Sequence, residues 1–116
     1  MSSLRLPKHY FIKIHVYNDD PHCGKGVISL FKLVKSGHSL RSACKEMHIA
    51  YSKAWKLVKS AEKDLGASLL AGTAGGSGGG GSKLTPEGED LLCRYLSFDK
   101  DAKKALDSLF QQHFGE

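Results

Sequence analysis

The 116-residue chain has little with which to cross-link itself, hold a metal ion or enter a membrane. Its three cysteines, Cys23, Cys44 and Cys93, are odd in number and far apart. That argues against a disulfide framework and for a reducing compartment. His22 and Cys23 are the one adjacent His–Cys pair, and neither Cys-x-x-Cys nor His-x₃-His spacing occurs. A metal centre is therefore not indicated, and no cofactor is expected. No apolar stretch approaches the length of a membrane span. Residues Met1 to Lys8 lack the apolar stretch of a signal peptide, so a soluble cytoplasmic protein is expected. No motif sets a nucleophile beside a base, and an enzyme is not expected.

What is present is an uneven charge distribution around a glycine tract. The formal charge is +5, but residues 25–70 hold nine Lys/Arg against three acidic residues, a net of +6. Residues 85–116 hold four basic against seven acidic, a net of −3. A basic first half suits a polyanion, from which the acidic second half would be held away. The two halves meet at the run Gly72 to Ser82, which contains Gly75-Gly76-Ser77-Gly78-Gly79-Gly80-Gly81. Gly76, Gly78 and Gly81 satisfy a glycine-x-glycine-x-x-glycine pattern, as any polyglycine does by chance. The continuation Ser82-Lys83-Leu84 is not the ending of a phosphate loop. A synthetic linker has a similar composition, but the flanking pattern favours the tip of a natural hairpin.

Hydrophobic periodicity defines the elements. From His9 to Asn18, Tyr10, Ile12, Ile14 and Val16 alternate with Phe11, Lys13, His15 and Tyr17, which predicts a strand. Asn18-Asp19-Asp20-Pro21 is turn chemistry, and a short return strand near His22-Cys23 would complete a hairpin over 9–23. Val27, Leu30, Phe31 and Val34 form one helical face, stopped at Ser36-Gly37. Ser39 is placed to cap a second helix with the stripe Leu40, Ala43, Cys44 and Met47. A turn at His48-Ile49-Ala50 leads to a third helix, about Tyr51 to Leu65, with Ala54, Trp55, Val58, Ala61 and Leu65 inward. Arms at 67–71 and 82–84 would flank the glycine tip. Thr85 and Pro86 are an N-cap and first-turn pair for a last helix over 86–114.

Two helices at turn spacing, a third basic helix, a glycine-tipped hairpin and a long helix make a mostly α fold with a small β component, a winged helix-turn-helix. The core spans 24–66, the wing 67–85 and the linker helix 86–114, all in a single domain. The pieces Gly24-Lys25-Gly26, Ser36-Gly37, Ser39, Tyr51-Ser52-Lys53-Ala54-Trp55, the glycine run and Leu84-Thr85-Pro86-Glu87-Gly88 keep a particular order and spacing. In these the chain resembles the N-terminal domain of the molybdate-responsive regulator (ModE) family and, more distantly, the LysR-type winged helix. The resemblance implies a homodimer joined through the last helix, with the third helix in the major groove of double-stranded DNA. Two departures matter. Ala50 stands where the family often has a capping serine, and with the sequence ending at Glu116 the oxyanion-binding domains of larger members are not expected. Molybdate sensing is therefore not carried over.

Lysines on one helical face are commonly just a solvated surface, but the turn before this helix and the wing after it favour DNA. Ser52, Lys53 and Lys56, in the first turns of the third helix, are the candidates for reading bases. Arg41, Lys59 and Lys63 suit phosphates, with Tyr51, Ser60 and the wing residue Lys83 completing the expected surface. Trp55 and Tyr51 could stack on bases as in single-strand binders, though core packing is the expectation for Trp55. In the last helix, Leu91, Tyr95, Phe98, Ala102, Ala105 and Leu109 are spaced 4, 3, 4, 3, 4, a short heptad seam expected to form the dimer interface. The rival readings are a winged-helix protein-interaction module, or one domain of a larger ligand-sensing regulator.

Overall fold

The computed structural model describes residues 3–21, 24–72 and 82–116. It contains helices α1 (Lys25–Lys35), α2 (Leu40–Met47) and α3 (Tyr51–Leu65), strands β1 (Leu70–Gly72) and β2 (Ser82–Leu84), and helix α4 (Pro86–Phe114). The strands pair antiparallel, with Leu70 opposite Leu84, Ala71 opposite Lys83 and Gly72 opposite Ser82. This is a winged helix-turn-helix, mostly helical, with a two-stranded wing base and a long C-terminal helix. The tip of the wing, residues 73–81, lies outside the described residues. No helix among the described residues is long and apolar enough to cross a membrane.

The starts of α2 and α4 and the ends of α2 and α3 each have a local cause. Ser39 Oγ accepts from Ser42 N at 3.0 Å and so starts α2. His48, with φ 56°, reverses the chain after α2 in the left-handed conformation, an unusual choice for a residue other than glycine. The chain then enters α3 within three residues. Gly66, with φ 72°, closes α3 in the same conformation. Thr85 Oγ1 accepts from Gly88 N at 2.9 Å at the start of α4, and Pro86 occupies the first turn.

The core is a single cluster. Val27, Leu30 and Phe31 of α1 are fully enclosed and meet Leu40, Ala43 and Cys44 of α2, Ala54, Val58 and Ala61 of α3, Leu69, and Leu92 and Tyr95 of α4. Ile49, in the turn between α2 and α3, is half-buried against this cluster.

The N-terminal segment differs from the hairpin expected over 9–23. Residues 3–17 form no strand, and the return arm at His22-Cys23 falls outside the described residues. The alternation survives in burial all the same: Ile12, Ile14 and Val16 are half-buried while Phe11, Lys13, His15 and Tyr17 are exposed. The segment lies on helices rather than on a partner strand. Tyr10 Oη donates to Asp107 Oδ1 at 2.5 Å, and its ring packs on Phe110 with centroids 5.0 Å apart. Tyr95 Oη donates to Ile14 O at 2.7 Å. The backbone N–H groups of Asn18, Asp19 and Asp20 donate to the Asp64 carboxylate at 2.6–2.9 Å. As the chain advances from Tyr10 to Ile14, its contacts step back along α4 from Asp107 to Tyr95, so the two run antiparallel.

Candidate nucleic-acid interface

The outward side of α3 divides into two flanks. On one, Ser52, Lys53, Lys56, Leu57 and Ser60 line an open depression of about 390 Å³. Positions i, i+4 and i+8 (Ser52, Lys56, Ser60) share this flank because a helix turns once in 3.6 residues. Hydroxyls that donate and accept thus alternate with lysine donors, the chemistry needed at base edges and phosphates.

On the other flank Tyr51, Trp55 and Lys59 follow one another, again four residues apart. The Tyr51 and Trp55 rings are close to parallel, with an interplanar angle of 15° and centroids 6.5 Å apart. Lys59 Nζ sits 4.5 Å from the Trp55 centroid, and the Arg41 guanidinium carbon, from α2, sits 4.6 Å from that of Tyr51. Both are cation–π distances. Trp55 is 46% exposed, which corrects the expectation that it packs in the core. Ala54 and Val58 define the inward line of α3, with Leu57 half-buried beside them. Trp55 lies about 100° round the helix from Ala54, and among the described residues no neighbouring element buries it there.

Of the other expected contacts, Lys63 is exposed in the last turn of α3, and Lys83 is exposed on β2. Ala50 offers α3 no side-chain cap, so the first N–H groups of that helix have no such partner.

Glu62 braces this surface against the wing, while Asp64 holds the N-terminal turn at Asn18–Asp20. The Glu62 carboxylate accepts from Leu69 N at 2.7 Å and Leu70 N at 3.3 Å, and pairs with Lys59 Nζ at 3.2 Å. It therefore fastens the base of the wing to the recognition-helix position. Burial works against the charge on Glu62, but the two backbone N–H groups and Lys59 outweigh it and hold its pKa below the usual value. An acidic residue in the last turns of a helix, three residues after a lysine, is a weak signal for such a clamp. The fold supplies the decisive part, since Leu69 and Leu70 are brought back over α3 only by the turn at Gly66.

The heptad seam of α4 splits in this structure. Tyr95 is 7% exposed within its own domain, and Leu91 is half-buried against the same core. They face inward because the first three turns of α4 close over α1, which corrects their place in the seam. Phe98 and Leu109 are 54% and 48% exposed, Ala105 is exposed and Ala102 half-buried. Among the described residues no group of three His, Cys, Asp or Glu side chains could hold a metal ion.

The model of the bacterial regulatory helix-turn-helix proteins of the LysR family matches residues 27–89, which span α1 from its third residue, α2, α3, the wing and the first turn of α4. The chain is 29% identical to the molybdenum-pterin-binding protein MopB of Rhodobacter capsulatus, an alignment covering 78% of this chain and 38% of that protein. It is 27% identical to the molybdenum transport protein ModE of Azotobacter vinelandii, covering 73% of this chain and 32% of that one. The chain thus matches only about a third of the length of either relative.

Proposed function

Because the chain belongs to the LysR-type family of bacterial regulatory helix-turn-helix proteins, with a ModE-like N-terminal domain, we propose that it regulates transcription by binding double-stranded DNA. In this reading it acts as a homodimer, and α3 enters the major groove. The observation that carries the reading is the outward side of α3, where Ser52, Lys53, Lys56 and Ser60 gather on one flank and the cations Arg41 and Lys59 on the other. A helix-turn-helix presents the first turns of its second helix to base edges, and those turns hold Ser52, Lys53 and Lys56. Lys63 and the wing residue Lys83 are set for phosphates, which position the protein without reading sequence. The acidic α4 carries the dimer contacts away from the DNA, through Phe98, Ala105 and Leu109.

Selection from random duplex DNA followed by gel shift tests this. Recovery of one sequence bound at least a hundredfold more tightly than random duplex is the expected result. Salt-labile binding without any preferred sequence would instead favour a winged-helix interaction module.

A further inference from the structure

The aromatic pair on α3 is dressed in a way that limits what it can touch. Each ring has a cation over one face and lies beside the other ring: Arg41 over Tyr51 at 4.6 Å, Lys59 over Trp55 at 4.5 Å, and the two rings 15° from parallel. A base can stack only on a free face. With one face of each ring under a cation, what Tyr51 and Trp55 expose, 40% and 46%, is the remaining ring surface, the edges included. A ring edge is mainly apolar C–H.

Within the major groove the base edges offer donors, acceptors and one apolar group, the 5-methyl of thymine. Setting aromatic carbon against a base donor or acceptor would leave that polar atom buried and unpaired, which is costly. Against a methyl group it removes apolar surface from water. Tyr51 and Trp55 lie in the first two turns of α3, the part of a recognition helix that reaches base edges.

We propose that Tyr51 and Trp55 form a methyl-reading edge, against which thymine 5-methyl groups pack. The preferred site then carries thymine opposite the first two turns of α3, beside bases read from the Ser52–Lys56–Ser60 flank. Arg41 and Lys59 fix the ring planes and keep the apolar edge within a cationic frame suited to the groove. The proposal rests on the duplex-reading function above.

The test uses the selected duplex with each thymine replaced in turn by deoxyuridine, which removes the methyl group and nothing else. At one or two positions per half-site the wild-type chain should bind the uridine duplex about three- to fivefold more weakly, the worth of one buried methyl. Trp55→Ala and Tyr51→Ala, both at exposed positions, should bind the two duplexes alike at those positions. Trp55→Phe, which keeps a ring edge, should retain part of the discrimination. Equal affinity of the wild-type chain for thymine and uridine duplexes at every position would overturn the methyl-reading edge alone. Tighter binding to the single strand than to the duplex would overturn it in favour of face stacking. If no selective duplex exists, the duplex-reading function falls and the edge falls with it.

Discussion

At the scale of single residues, the wing depends on one carboxylate. Glu62 is 12% exposed at its side chain and accepts from the backbone N–H groups of Leu69 and Leu70. Its lowered pKa means that its stabilisation is complete above the ordinary carboxylate range and is lost as pH falls through the folded-state value. Glu62→Gln should therefore cost about 1.5–3 kcal/mol near neutral pH, the range for hydrogen bonds to charged groups. The gap from wild type should shrink on acidification towards about pH 3, well below the reference value for glutamate. Thermal denaturation at the two pH values decides it, and a constant gap would mean the charge on Glu62 plays no part. The lysines of α3 should divide by position. Lys56, on the flank with Ser52 and Ser60, should discriminate among sequences by roughly 1–3 kcal/mol if it reads a base. In paired titrations Lys56→Ala should thus lose more affinity for the selected site than for random duplex. Lys63→Ala should lose a smaller, equal amount on both. Equal losses for Lys56→Ala would remove α3 as the reader.

At the scale of elements, the wing base and the start of α4 are locked together by close backbone approach. Thr85 N donates to Leu69 O at 3.0 Å, and Thr85 Oγ1 donates to Ser68 O at 2.6 Å. A Cβ placed on Gly88 would meet Leu69 O at 2.2 Å, so this position of the helix admits no side chain without a shift of the backbone. Alanine has a higher helix propensity than glycine by about 0.8–1.0 kcal/mol. In α4 that gain should be outweighed by steric cost, since overpacking costs about 1–3 kcal/mol. Gly26 in α1 has open space where its Cβ would be, so there the propensity gain should stand. Gly26→Ala should raise the melting temperature and Gly88→Ala lower it. The same sign for both would show that the contact at Leu69 relaxes freely.

At the scale of the molecule, α4 is too long for one domain to cover. Its 29 residues extend about 44 Å, whereas its buried residues, Gly88, Leu92 and Tyr95, all lie no further along than Tyr95. Beyond them the N-terminal segment covers part of one face through Tyr10 on Phe110, and Phe98 and Leu109 remain open. If that open line joins two copies, Leu109→Glu buries an unpaired carboxylate in the interface, which is strongly unfavourable. Sedimentation should then show monomers, while a variant that remains dimeric at micromolar concentration would exclude the line. A dimer contacting on the order of six to eight phosphates should lose affinity with salt at a log–log slope of roughly −5 to −7. A flat salt response would remove DNA as the partner of the basic half.

Much of this architecture is legible in the sequence, because helix stripes, caps and glycine stops are local. Val27, Leu30, Phe31 and Val34 must share a face at 3.6 residues per turn, and Ser39, Thr85 and Gly66 each act on their own helix end. The order of elements and the basic third helix follow from the same signals. Tertiary packing decided the rest. Period two in residues 10–17 records which side chains turn inward, not what they turn towards, and here they meet α4 rather than a strand. The heptad spacing of α4 is equally blind to the partner: its first two positions were claimed by the domain's own core, its later ones left open. Trp55 is apolar enough for a core, but a single helical turn has room inward for only some of its residues, and Ala54 and Val58 took the places against α1. The indole was left at the surface, between Tyr51 and Lys59.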